Sequence, residues 1–155
     1  KSKKFIAGMA QKNSNQSSFH TLDHLKSIDL LCINEGELRN ELRDKKSDYI
    51  KLSKFFIKKY KIKYLVVTRG IQGSILITKK FKIYSCPSFN SKPIDKVGAG
   101  DAMLSILSLL LKNKIHPEVS LLFASLAASK VINNLGNSYT LDKIELERDL
   151  EFLLK

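Results

Sequence analysis

Apolar positions along the chain recur with two periods, and the alternation between them sets out the elements. Residues 5–9 form a short apolar run after a basic start and predict a strand. A short helical pattern follows at 21–27, with Thr21 and Asp23 as start signals. Residues 28–33, Ile-Asp-Leu-Leu-Cys-Ile, and 63–68, Lys-Tyr-Leu-Val-Val-Thr, are continuous enough to be buried strands. Between them, 45–61 reads as an amphipathic helix that turns Ile50, Phe55, Phe56 and Ile57 inward and its lysines outward. Residues 74–78 and 81–86 predict a hairpin turned at Lys79-Lys80, and 88–93 a loop. The remainder is helical: 102–111 as a buried helix, 117–133 begun by Pro117, and 141–154 as an amphipathic closing helix. Strand and helix alternate before a hairpin and three helices, so the expected fold is α/β, three-layered, with a mostly parallel sheet flanked by helices.

Composition narrows the functional classes. Apolar residues make up 43% of the 155 and charged ones 27%, the profile of a globular protein with a core of its own. Lysine and arginine number 27 against 15 acids, a net charge of +12. Such an excess raises nucleic acid as a partner, but the lysines lie along polar faces and no basic run is interleaved with aromatics, so none is expected. The longest apolar stretch falls well short of the ~20 residues that span a bilayer, and no membrane partner is expected. Cys32 and Cys86 lie in different strands, without Cys-x-x-Cys or zinc spacing. Two free thiols and a cytoplasmic location are the expectation.

Chemistry concentrates at 94–103, Ile-Asp-Lys-Val-Gly-Ala-Gly-Asp-Ala-Met. Gly98 and Gly100 allow the backbone close to a ligand. The N–H groups and dipole of the following helix would favour an anion there. Asp101 puts a carboxylate where that anion would sit, which suits a base taking a proton from an attacking hydroxyl while the N–H groups stabilise a transferring phosphoryl group. A first-turn carboxylate complementing the helix dipole is the plainer alternative. Met103 stands where a dinucleotide fingerprint needs its third glycine, which excludes that motif.

These residues resemble the signature Asp-Thr-x-Gly-Ala-Gly-Asp of the ribokinase-like (PfkB) sugar and nucleoside kinases, with Lys96 at the usually small position. The resemblance extends to two further motifs in the family's order. Asn34 and Glu37 match its Asn-x-x-Glu, linked to the magnesium and phosphate environment; the alternative is an Asn turn with Glu37 in the first turn of a helix. Thr68, Arg69, Gly70 and Gly73 match its Thr-x-Gly-x-x-Gly loop, which contacts nucleotide phosphates and ribose; a hairpin turn with an exposed arginine is the alternative. Residues 127–136 resemble the segment walling the adenine pocket, which brings in Ala128 and Asn133, although helix–helix packing through Ala124, Ala127 and Ala128 explains the same residues. Residues 123–137 and 144–147 are most similar to bacterial heptose-phosphate kinases.

The resemblance implies ATP, Mg2+ and K+ as cofactors. Asp101 would be the base, and Val97, Gly98, Ala99 and Gly100 would form the anion hole. Asn34 and Glu37 would act on magnesium in its outer sphere, and Asp95 on a monovalent cation. It implies phosphoryl transfer from ATP to a hydroxyl of a sugar or sugar phosphate, with a homodimer left open. It covers roughly residues 5–150 and only the family's C-terminal half, so the chain reads as a single domain lacking the lid and part of the sugar site. A non-catalytic nucleotide-binding or regulatory module is the alternative, and a nucleic-acid binder, raised by charge alone, is a third class.

Overall fold

The computed structural model describes residues 4–10, 27–89 and 98–132, together with 142, 144, 145, 147, 148 and 151. Strands β1 (Ala7–Met9), β2 (Leu30–Asn34), β3 (Tyr64–Thr68), β4 (Ser74–Thr78) and β5 (Ile83–Cys86) lie side by side in that order. The pairings β1–β2 and β2–β3 are parallel, and β3–β4 and β4–β5 antiparallel, so four of the five described strands point the same way. Helices α1 (Glu35–Leu42) and α2 (Tyr49–Tyr60) follow β2, whereas α3 (Ala99–Lys112) and α4 (Pro117–Ile132) follow β5.

The central strands β2, β3 and β4 are buried on both faces, which is why their sequences run largely apolar, whereas β1 is half-buried and β5 partly exposed. Leu31, Ile33, Leu65, Val67, Ile75 and Ile77 pack with Leu38, Leu52, Phe56, Ile57 and Tyr60 on one side. On the other, Leu30, Cys32, Val66, Leu76 and Cys86 pack with Met103, Leu107, Leu111, Leu121 and Ala124. One sheet thus separates two helical layers, the expected three-layer arrangement.

Two helices differ from the sequence reading. The helix expected at 45–61 starts at Tyr49, because Asp44 holds residues 45–48 in a turn: its carboxylate accepts the N–H of Lys46 and of Ser47 and the Ser47 hydroxyl. Asp48 then caps α2 by accepting the N–H of Lys51. The buried face comprises Leu52, Ser53, Phe56, Ile57 and Tyr60, leaving Ile50 half-buried and Phe55, expected inside, 58% exposed. Helix α3 buries only a stripe, Met103, Leu107 and Leu111 at spacings of four, and Leu109 is 58% exposed. A helix in an outer layer meets the sheet and its neighbour along one side, so its apolar composition overstates its burial.

Helix α4 is packed more deeply. Ala124 and Ala127 are fully buried and let its backbone approach α3 and the β4–β5 hairpin closely. Ser74 and Ser125 satisfy each other across this contact, their hydroxyl oxygens 3.1 Å apart. The helix expected at 21–27 falls outside the described residues except for Ser27, and the closing helix at 141–154 does so in large part, with 144, 145, 147, 148 and 151 helical.

Candidate active site

Strand register gathers the candidate residues at one edge of the sheet. Met9 is paired with Cys32, and Asn34 with Thr68, whose other neighbour is Ser74. The C-terminal ends of β1, β2 and β3 therefore open side by side, where α/β sheets place their ligands. Helix α3 begins at the same edge: a Cβ built on Gly100 would lie 2.8 Å from the Met9 sulfur. Gly98 precedes the helix with φ of 82°, a left-handed conformation suited to glycine. Asp101 stands in the first turn of α3 with its side chain exposed, and among the described residues its carboxylate has no hydrogen-bond partner.

Asn34 ends β2 and caps α1. Its side-chain oxygen accepts the Glu37 N–H at 2.8 Å, and the Glu37 carboxylate accepts the Asn34 N–H at 3.0 Å. This capping box is the helix-start reading of the motif in full. Among the described residues no group of three His, Cys, Asp or Glu side chains could hold a metal ion. A single carboxylate at a strand end could touch a divalent ion only with most of the ion's ligands coming from elsewhere.

The loop after β3 is tight. The Arg69 N–H donates to the Gly73 carbonyl and the Gly73 N–H to that of Gly70, closing a 3-10 turn over Gly70–Gln72. Gly73 has φ of 84°, and a Cβ there would stand 2.2 Å from the Cys86 carbonyl oxygen. That contact ties the loop to the end of β5, from which the chain continues toward the glycine-rich loop.

Sequence reasoning missed Glu35 and Tyr49. The Arg69 Nε donates to Glu35 Oε2 at 2.8 Å, and the Arg69 guanidinium lies 3.9 Å above the Tyr49 ring. Arg39 donates to the other Glu35 oxygen from Nε at 2.9 Å and Nη2 at 2.7 Å, and from Nη1 to the Ser47 carbonyl. The hydrogen bond from Arg69, followed by that from Arg39, holds the Glu35 carboxyl below the usual carboxylate range. Nothing in the spacing of Glu35, Tyr49 and Arg69 announces this contact; the fold alone brings them together.

Ala128 is half-buried on α4 and packs at the margin of the α3–α4 core. Val97, Asp95 and Asn133 lie outside the described residues. Both cysteines are free and buried; desolvation pushes the Cys32 thiol up to about 12 and raises that of Cys86, against an opposing hydrogen bond from Ser125.

A sheet between two helical layers, with a glycine-led helix and two strand-end loops on one edge, makes this an α/β protein of the ribokinase-like kind. The chain belongs to the pfkB family of carbohydrate kinases, whose profile matches residues 2–144. It is similar to the Bifunctional protein HldE of Helicobacter pylori (strain HPAG1), 30% identical over 121 residues, covering 76% of this chain and 26% of that protein. It is 35% identical over 83 residues to the protein of the same name from Haemophilus influenzae (strain PittEE), covering 54% of this chain and 17% of that one. The ribokinase of Arabidopsis thaliana, solved with ribose and ATP, superposes with a TM-score of 0.71 at 26% identity, covering 83% of this chain and 42% of that one. The chain thus spans about a quarter or less of these curated relatives and about two fifths of the solved ribokinase. Among the described residues no helix is long and apolar enough to cross a membrane.

Proposed function

We propose that this chain is the nucleotide-binding and catalytic portion of an ATP-dependent kinase acting on a hydroxyl of a sugar or sugar phosphate. The carrying observation is Asp101, an exposed carboxylate in the first turn of a helix led by Gly98, at the edge where β1, β2 and β3 end. Family membership supports the reaction class, and the likeness of residues 123–137 to heptose-phosphate kinases favours a heptose phosphate among the acceptors.

In this reading Asp101 takes the proton from the acceptor hydroxyl, and the N–H groups from Val97 to Gly100 hold the charge on the phosphoryl group in flight. Bound ATP with Mg2+ supplies the phosphoryl group and neutralises charge between its phosphates. With the cofactors bound, Asn34 and Glu37 would face magnesium in its outer sphere and Asp95 would take part in holding K+, while Thr68, Arg69, Gly70 and Gly73 would position the phosphates and ribose. Ala128 and Asn133 wall the adenine. Phosphoryl transfer relies on positioning and electrostatics, so this equipment is sufficient. The remaining sugar contacts belong to a further part of the intact enzyme, a second copy of the chain among the candidates.

The test is turnover and nucleotide binding in the full-length protein. Asp101→Asn should lower kcat by about 10²–10⁴ while affinity for Mg-ATP stays near wild type. Equal turnover by the two proteins would remove Asp101 from the reaction. Nucleotide binding by a wild type that transfers phosphate to no sugar would favour a regulatory module instead.

A further inference from the structure

Arg69 is fixed on two sides and open on a third. Its Nε edge is taken by Glu35 Oε2 at 2.8 Å, and one face of its guanidinium lies 3.9 Å from the centre of the Tyr49 ring. Among the described residues Nη1 and Nη2 carry no hydrogen bond, and the side chain keeps 21% of its surface accessible. Glu35 is fixed in turn, because Arg39 grips its second oxygen and is itself tied to the Ser47 carbonyl. Three segments distant in sequence, the start of α1, the start of α2 and the loop after β3, thus converge on one guanidinium. An arginine needed only to neutralise Glu35 would be redundant, since Arg39 already does so with two N–H groups.

From this geometry we infer that Glu35 and Tyr49 are positioning residues that hold Arg69 with its two Nη groups presented to an anionic acceptor with two oxygens to offer, a phosphate of the bound nucleotide. The inference rests on the nucleotide reading above. Two parallel N–H groups match two phosphate oxygens, and a guanidinium already immobilised loses little freedom on binding. Lysine cannot substitute, having neither an Nε donor for Glu35 nor a flat face for Tyr49.

The test is a double-mutant cycle in the full-length protein with Mg-ATP as the probe, scored by Kd from calorimetry and by kcat and KM for the nucleotide. Glu35→Gln should raise Kd and KM about tenfold and leave kcat within about twofold. An amide offers one acceptor oxygen where the carboxylate serves Arg39 and Arg69 with two, and it lacks the charge that strengthens both bonds. Arg69→Lys should raise Kd and KM at least as much. The double variant should be no worse than Arg69→Lys alone, because Glu35 acts through Arg69. Tyr49→Leu should give a smaller increase in the same direction. A purely structural Glu35 would instead give additive losses, or a lowered melting temperature at unchanged Kd, and either would overturn the inference while leaving the kinase reading in place. A folded wild type with no affinity for Mg-ATP would overturn both.

Discussion

Gly73 shows how one residue can carry two constraints of which the sequence discloses one. Its place in Thr-x-Gly-x-x-Gly marks a flexible turn, but the closeness of a backbone 13 residues further on is visible only in the fold. A Cβ there would stand 2.2 Å from the Cys86 oxygen and within 3 Å of two Pro87 backbone atoms. Backbone cannot yield as a side-chain end does. Gly73→Ala should therefore cost upward of about 2 kcal/mol, combining the strain of a left-handed alanine with displacement of the β5 end. Urea unfolding would measure it, and a loss of only a few tenths would mean that the loop re-forms elsewhere. Gly100 is the useful contrast, because its obstacle is the Met9 sulfur, which can swing aside. The thiols make a second residue-scale prediction. Both are buried and raised by desolvation, so neither Cys32 nor Cys86 should react with a thiol reagent at about pH 8 until the chain is unfolded.

Among the elements, α1 shows a motif that is local structure whatever else it does. Asn34 and Glu37 close a capping box, so Asn34→Ala should cost about 1 kcal/mol of stability before any chemistry is considered. Asn34→Ser keeps a capping oxygen and should recover most of that loss; activity that stays low in a protein of restored stability would assign Asn34 a second role. Helix boundaries and helix faces were each legible only in part. Nothing in the lysine-rich run 45–48 shows that Asp44 will turn it, and Phe55 lies outside because the buried face of α2 is centred on Leu52, Phe56 and Tyr60, about 100° away from it. Glu35, one residue into α1, lies 34 positions from Arg69, beyond any periodicity. Its carboxyl is held below the usual range in the folded state, so its contribution is complete at neutral pH and is lost as pH falls through the folded value. The stability difference between wild type and Glu35→Gln should accordingly shrink in acid, measured by urea unfolding at about pH 7 and about pH 3. A difference independent of pH would mean that the ion pair contributes nothing beyond packing.

At the scale of the molecule, the layers were readable because buried parallel strands announce themselves: uninterrupted apolar runs can be satisfied only by cover on both faces. Register was not readable, and register is what brings Asn34, Thr68 and Ser74 into one row and seats Gly100 on Met9. The same sheet also couples the two cores. Along β3, Leu65 and Val67 face α1 and α2 whereas Val66 faces α3 and α4, so neither half-core can open without exposing the back of the other. Leu65 and Leu107 are both fully buried, on opposite sides of that sheet. Truncating either to alanine should cost about 2–5 kcal/mol. If the sheet makes the two layers one cooperative unit, each variant should melt in a single transition, with far-ultraviolet circular dichroism and tyrosine fluorescence coincident. Tyr49 and Tyr60 report on the α1–α2 layer and Tyr84 on the other, so the tyrosine signal samples both. Two separated transitions in Leu107→Ala would show that the layer bearing Asp101 can loosen while the Glu35–Arg69 side stays folded. The glycine-led helix would then move independently of the loop after β3.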